Sequence, residues 1–471
     1  MAADFSARAH DALGNPQLRA NFHRAMDGLM GKRAAQFADA DNWNALRARG
    51  GAVKARALAR LPDLLETFEA RATGNGIVVH WAETTQDANR IVLDILRTHG
   101  VHKVIKGKSM VSEEMHLNAH LEAHGITAVE SDLGEYIIQL AGEAPSHIVM
   151  PCIHKNKGEI ARLFTDNIPD QPYTEDVDAL TAAARQVLRR EFASADAGIS
   201  GANFLVAETG SLVLIENEGN GRLSTTLPPL HIAVAGIEKL VETLDDVAPL
   251  LALLPRSATG QPITTYVNMI TRPRQPGEMD GPRQVHLVLL DNGRSRVYAD
   301  EQLRDTLRCI RCGACMNHCP VYSRVGGHAY GSVYPIGKIL TPQLAGLDCA
   351  GDLPHASTLC NACVEVCPVQ IPIADILVRL RTEAAQPSAS PGVKGAGSSV
   401  SMVENAVWRG WRTLYANPAA HALGTRALAL LGNLIPAAAP LLKQWTRVRS
   451  KPRFAVKTLH RLAREKGYDN E

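Results

Sequence analysis

The sequence predicts an α/β layered domain followed by a small helical domain built around thiol loops, and three observations predict it. Apolar runs of strand length alternate with amphipathic helical stretches between about residues 70 and 295. Seven of the nine cysteines fall in two short runs between positions 309 and 367. Beyond them a Pro-, Ser- and Gly-rich stretch leads into a basic tail with helical patterning.

Residues 1–68 read as a helical, charged segment ending on the apolar pattern Leu58, Leu61, Leu64, Leu65 and Phe68. Residues 69–297 carry the alternation. Gly76-Ile-Val-Val-His80 reads as a strand, and Thr85 is placed to cap a helix bearing Ile91, Leu93, Ile95 and Leu96. Val101–Ile105 is the next strand, followed by a helix over 112–124 and a strand over Ile126–Glu130. Such alternation predicts a largely parallel sheet. The runs Asn203–Ala207, Ser211–Ile215 and Val285–Leu290 are expected to extend that sheet. Residues 298–384 hold the thiol runs, with helices expected over 302–308 and 373–383. Residues 385–401 have the composition of a flexible linker, and 402–471 form the basic helical extension.

Composition narrows the class. A chain of 471 residues with 45% hydrophobic content can bury large cores and divides into two or more domains. Fifty basic and 48 acidic residues leave a net charge of +2, which argues against bulk attraction to nucleic acid. Met1-Ala2-Ala3-Asp4 lacks a charged segment followed by an apolar one, so no export signal is expected. A cytoplasmic location follows, where the thiols stay reduced rather than pairing as disulfides.

Cys309-Ile-Arg-Cys312-Gly-Ala-Cys315-Met-Asn-His-Cys319-Pro320 sets four thiols at C-x2-C-x2-C-x3-C-P. This is the spacing of bacterial ferredoxins, in which the Cys-Pro cysteine of each run ligates the other run's cluster. Three closely spaced cysteines wrap one loop around three iron corners of a cubane, and the fourth leaves that loop. The second run is Cys360-Asn-Ala-Cys363-Val-Glu-Val-Cys367-Pro368. Crossed ligation therefore assigns Cys309, Cys312, Cys315 and Cys367 to one [4Fe–4S] cluster, and Cys319, Cys360 and Cys363 to a second. Zinc is the competing metal, but it favours two separated C-x2-4-C pairs and has no need of two Cys-Pro endings.

The second set lacks a ligand. Ser357 stands where a further cysteine would complete the run, and serine would ligate only as an alkoxide, unfavourable near neutral pH. Cys349 is the nearest spare thiol. A three-cysteine site also accommodates a [3Fe–4S] cluster or an iron with a non-protein ligand, and the sequence leaves these open. Cys152 is expected to pack as a small apolar residue.

Other cofactor signals are weak. Gly392, Gly395 and Gly397 lie in the linker with no strand before them, so they make no dinucleotide fingerprint, and no Walker A motif occurs. No nucleophile or general base stands out, which leaves an electron carrier without catalytic machinery of its own. His147 and His154 read as core or surface histidines. In the tail, Ala427–Leu442 is apolar but short and interrupted by Pro436 and Pro440, so it does not span a bilayer. Trp408, Trp411 and Trp445 flank it, and Lys443, Arg447, Arg449, Lys451, Arg453 and Lys457 follow. The expectation is a helical cap or a surface that docks a partner subunit. Peripheral contact with the anionic inner face of a membrane is the competing reading.

Lys106-Gly-Lys-Ser-Met-Val-Ser-Glu-Glu114, Asp132–Glu143, Pro145–Val149, Ala207-Glu-Thr-Gly-Ser211 and Glu216-Asn-Glu-Gly-Asn220 resemble the lactate-utilisation (LUD) domain. Joined to two cluster motifs and a C-terminal extension, the chain is similar over nearly its whole length to the lactate utilisation protein B family. The resemblance implies an iron–sulfur subunit of a three-protein bacterial system oxidising L-lactate to pyruvate, with companion subunits and an electron acceptor. Glycolate or another 2-hydroxy acid is the competing substrate, and a zinc-stabilised binding module is the reading without clusters. The LUD-like region is similar to the isomerase and CoA-transferase class of α/β folds, which gather polar loops at the carboxyl ends of their strands. Lys106, Lys108, Ser109, Glu208, Thr209, Asn217, Glu218, Asn220 and Arg222 are expected to line such a cleft, with Gly107, Gly210 and Gly219 admitting an anion to backbone amides. The plainer expectation is that these charges are solvated and the glycines only shape turns.

Overall fold

Strands covered on both faces carry near-continuous apolar sequence, and three segments here do: Ala197–Ser200, Leu230–Gly236 and Gln284–Leu290. They form the middle of a parallel sheet in the computed structural model, which describes residues 5–331, 336–385, 402–439, 442–443, 446 and 449–468. The strands are β1 (Val78–Ala82), β2 (Lys103–Lys106), β3 (Thr127–Glu130), β4 (Ala197–Ser200), β5 (Phe204–Val206), β6 (Ser211–Glu216), β7 (Leu230–Gly236), β8 (Leu240–Val241), β9 (Tyr266–Ile270) and β10 (Gln284–Leu290). Six of them pair in parallel in the order β1-β10-β7-β4-β2-β3. The chain steps from β2 outward to β3 and then returns to the other side of β2 as β4. That reversal opens a crevice at the carboxyl ends of β2 and β4, the usual place for a ligand in such sheets.

Helices fill the crossovers. Thr85–Thr98 follows β1, and its cap is Thr84, one residue before the expected Thr85; the Thr84 hydroxyl accepts from the Asp87 N–H at 3.1 Å. Its Ala88, Val92, Leu93 and Leu96 are buried with the sheet's apolar face. The stretch 112–124 is not one helix. His116 takes φ 50° and divides it into Met110–Glu114 and Leu117–Ala123.

A second correction concerns β5 and β6, which do not extend the parallel sheet. They pair antiparallel with each other in a separate four-stranded sheet, β8-β5-β6-β9. The turn between them needs Gly210 at φ 66°, where a Cβ would lie 2.5 Å from the Ala72 nitrogen of helix Leu61–Gly74. Gly210 therefore admits a helix backbone to the turn rather than an anion.

The N-terminal helices fasten the thiol-bearing segment to the α/β layers. Phe22, Met26 and Leu29 of Pro16–Gln36 share a core with Cys319, Tyr322 and Tyr330. Val53 of Ala40–Ala59 packs in a core with Cys309, Cys312, Cys363 and Cys367. From the same two helices, Arg33 donates to the Val366 carbonyl at 3.1 Å and Arg47 to the Cys367 carbonyl at 2.8 Å. Lys54 donates to the Glu238 and Leu240 carbonyls at 2.7 and 3.0 Å.

The chain divides into two compact units, Met1–Ala396 and Gly397–Glu471. The second contains the helices Met402–Ala416, Pro418–Leu431 and Leu459–Glu465, with the Asn417 side chain capping the middle one. The linker stretch 386–399, Pro440, Trp445 and Arg447 lie outside the described residues. No helix among the described residues is long and apolar enough to cross a membrane.

Candidate iron–sulfur centre and adjoining cavity

The two thiol runs repeat one backbone design. A 3-10 turn, Arg304–Arg308, leads to Cys309; Arg311 (φ 61°) and Gly313 (φ 78°) then bracket Cys312 before the short helix Ala314–Asn317 carrying Cys315. In the second run a 3-10 turn, Leu353–His355, precedes Leu359 (φ 54°) and Asn361 (φ 66°), which bracket Cys360 before the helix Ala362–Glu365 carrying Cys363. Left-handed residues on both sides of a cysteine curl the backbone into a tight loop around it. In this correspondence Cys360 matches Cys312, Cys363 matches Cys315 and Cys367 matches Cys319. Ser357 matches Cys309. The hydrogen bond repeats as well: Arg311 N–H donates to Cys309 Sγ at 3.4 Å, and Leu359 N–H donates to Ser357 Oγ at 3.3 Å.

Cys309, Cys312, Cys315 and Cys367 wall one cavity together with Ile336, Pro368 and Val369. Burial, with Cys309 and Cys367 adding to it against the Ala314 amide, pushes the Cys312 thiol up to about 12. Burial likewise pushes Cys367 up to about 11. Four thiolates in one dry pocket repel each other and lose hydration, so the set calls for a cationic core to hold them. Backbone amides supply what such sulfurs need from the protein: besides Arg311, Ile371 N–H reaches Cys367 Sγ at 3.4 Å. The donor set fits an iron–sulfur core, which when bound supplies one-electron transfer.

The other three cysteines gather beside it. Cys319 accepts from Tyr322 N–H at 3.5 Å and from the buried Lys338 Nζ at 3.1 Å. Burial raises the Cys363 thiol; Lys338 opposes this, while Cys319 and Cys360 add to it. Cys360 is exposed. Cys315 is raised well above an ordinary thiol by burial and its own set, with Cys363 contributing from the neighbouring set. Cys349 is exposed on the short helix Leu347–Ala350. Cys152 is half-buried against the Phe164 cluster.

A cavity of about 290 Å³ lies at the crevice between β2 and β4 and reaches the first thiol loop through Arg311. Of the residues expected to line a cleft, it brings together Lys108, Ser109, Asn217, Glu218 and Asn220. Lys106 lies elsewhere, buried and ion-paired with Glu130 at 2.8 Å and Glu113 at 3.2 Å. Burial alone would lower its pKa; the two carboxylates raise it instead. Glu208 accepts from Leu244 N–H at 3.0 Å, and Thr209 donates to Ser211 Oγ at 2.9 Å. The Arg222 amide donates to Glu216. None of these three lines the cavity. His147 is fully buried, bridges to Asn317 at 2.8 Å, and burial lowers it to about 4, the Asn317 bond opposing. His154 bonds Ser146 at 2.7 Å and Glu143 at 2.7 Å.

The sequence reading missed Lys239, Arg311 and the buried network that holds Arg311. Arg294, wholly buried, makes two bonds to Glu114 at 2.9 and 2.8 Å and one to Glu238 at 2.7 Å. Glu238 in turn meets Arg311 at 3.3 Å. A carboxylate inside the largely apolar run Ile237-Glu-Lys-Leu-Val241 was the available signal. Charges placed there must be paired within the fold.

Fold and site together define an iron–sulfur protein in which an α/β domain carries a dicluster segment. Family models agree: the LUD domain matches residues 65–290, the 4Fe-4S dicluster domain matches 305–371, and the C-terminal domain of lactate utilisation protein B matches 379–468. Lactate utilization protein B of Bacillus licheniformis is 43% identical over 380 residues, covering 80% of this chain and 79% of the relative. That of Shouchella clausii is 39% identical over 461 residues, covering 96% and 94%. An Escherichia coli (strain K12) relative, "Uncharacterized electron transport protein YkgF", is 43% identical over 389 residues, covering 81% of each chain. The chain belongs to the lactate utilization protein B family.

Proposed function

We propose that the protein is the electron-carrying iron–sulfur subunit of a bacterial complex that oxidises L-lactate to pyruvate, working with companion lactate-utilisation subunits and passing electrons to a separate acceptor. Lactate oxidation releases two electrons and two protons, whereas each cluster carries one electron at a time, so two adjacent centres suit a partner that performs the organic chemistry. The observation carrying this reading is the juxtaposition of the two cysteine sets in one core, where Cys363 clusters with Cys309, Cys312 and Cys367 and Cys315 packs against them. On this reading Cys309, Cys312, Cys315 and Cys367 hold one [4Fe–4S] cluster. Cys319, Cys360 and Cys363 hold the second, completed by a non-cysteine ligand or reduced to [3Fe–4S]. The protein's groups bury the sulfurs of Cys309, Cys312, Cys319, Cys363 and Cys367, supply amide donors to some of them and set Lys338 beside Cys319.

Deleting the gene from its host tests the substrate. Growth on L-lactate is expected to fail while growth on glycolate continues. Loss on glycolate alone would move the protein to a different 2-hydroxy acid, and unimpaired growth on both would contradict the proposal.

A further inference from the structure

The cavity between β2, β4 and the first thiol loop is lined by seven charged side chains, Lys108, Glu114, Asp132, Glu216, Glu218, Lys239 and Arg311. Lys108 pairs with Asp132 at 3.0 Å, Glu114 with Arg294, and Glu216 accepts the Gly221 and Arg222 amides at 2.7 and 2.6 Å. Arg311 reaches Glu238 at 3.3 Å. Among the three cations of the wall, Lys239 is the exception. It lines the same cavity, is 7% exposed, and has no hydrogen-bond or ion-pair partner among the described residues. A buried ammonium with no direct partner costs free energy that the more distant charges of Glu238 and Cys309 offset only in part, which favours an anion within its reach. Burial lowers Lys239 to about 8, with Arg311 lowering it further and Glu238 and Cys309 opposing, so it is largely cationic at neutral pH.

The rest of the wall narrows what that anion is. Among the described residues no aromatic ring lines the cavity, so a flavin, nicotinamide or nucleobase would find no stacking partner among them. Its volume of about 290 Å³ suits a small molecule. Short polar groups ring it, among them Ser109, Ser200 and Asn220. Ser200 Oγ is held at 2.8 Å from His231 Nε2, and apolar Leu214, Ile215 and Leu254 cover the remainder.

We propose that this cavity binds a small aliphatic carboxylate, with Lys239 as the cation that recognises it and the first thiol loop, through Arg311, as one of its walls. The claim rests on the cavity; only the choice of probes rests on the lactate reading given above. Because Lys239 also lies in the field of Cys309, a bound carboxylate would neutralise charge beside the first cluster. Ligand binding and reduction of that cluster would then be linked reciprocally.

The test uses the anaerobically purified, full-length, iron-loaded protein and isothermal titration with L-lactate, pyruvate, propionate and the neutral lactamide. At least one carboxylate is expected to bind while lactamide does not. Lys239→Met should weaken that binding at least tenfold and Lys239→Arg should retain most of it, with iron content and visible spectrum unchanged. Ala258→Trp, which fills the cavity from its far wall without altering charge, should abolish binding too. Absence of binding by every carboxylate to the wild-type protein would overturn the proposal, as would equal binding by Lys239→Met. If Lys239→Met loses iron, Ala258→Trp decides: undiminished binding there overturns the proposal. Carboxylate binding in a protein whose deletion leaves growth on L-lactate intact would sustain the cavity while refuting the lactate reading.

Discussion

Glu135 and Ser357 show how single side chains report on the whole account. Glu135 is buried beside Lys108, at 4.0 Å. Burial raises its carboxyl from 4.5 to about 8, Lys108 opposing and Glu130 adding. Between those two values the folded state holds a proton that the unfolded chain releases, so stability is full below about pH 4.5 and is lost as pH rises through 8. Glu135→Gln removes the titration. Its melting temperature should match wild type near pH 4.5 and exceed it at pH 8, with a gain of the order of 2 kcal/mol at neutral pH. A gain independent of pH would mean that Glu135 is already ionised in the fold. Ser357 occupies the place in the second run that Cys309 holds in the first. Ser357→Cys gives the second set a fourth thiolate, and the protein's visible absorption should bleach severalfold more slowly in air. Cys349→Ser should leave that rate unchanged, since Cys349 lies outside the repeated loop. Bleaching slowed by neither substitution but hastened by the loss of Cys349 would make Cys349 the missing ligand.

At the scale of elements, how much was legible depended on whether the signal was local. Strand runs at 76–80, 101–105, 126–130 and 285–290 and the helix after Thr84 were readable, because alternating apolar segments and a capping hydroxyl are properties of a few consecutive residues. The placement of Phe204–Val206 and Ser211–Glu216 in a second sheet was not. An apolar run specifies strand, but its partner is chosen by a turn, here one that Gly210 makes by accepting the backbone of helix Leu61–Gly74. The break at His116 was hidden for the same reason, since no Gly or Pro marks it. Part of the cavity was foreseen through Lys108, Ser109, Asn217, Glu218 and Asn220; Lys239 and Arg311 come from distant segments that only folding brings to it. Element packing also makes a prediction. A Cβ at Gly198 in β4 would sit 1.7 Å from the Ser224 carbonyl of helix Asn220–Thr226. Gly198→Ala should push that helix off the strand and cost roughly 2–4 kcal/mol in chemical denaturation. Unchanged stability would show that helix and strand are not in contact.

For the molecule as a whole, the α/β domain and the dicluster segment belong to one unit, cross-tied by Arg33, Arg47 and Lys54 from the N-terminal helices and by the Arg294–Glu238–Arg311 chain. The thiol runs were legible in full from their spacing, which is fixed by the geometry of a short loop around a metal core. The proposed crossing rests on long-range placement: Cys367 shares a cavity with Cys309, Cys312 and Cys315, and Cys319 lies with Cys360 and Cys363. Crossed ligation would bring the two proposed centres within reach of each other and is the central claim about what the molecule does. Paramagnetic resonance of the reduced, anaerobically purified protein tests it most directly, by comparing Cys319→Ser with Cys367→Ser. The account predicts that Cys319→Ser alters the signal of the centre held by Cys360 and Cys363, while Cys367→Ser alters the one held by Cys309, Cys312 and Cys315. Should Cys319→Ser disturb only the centre of its own run, each run binds its metal separately and the crossed arrangement is wrong.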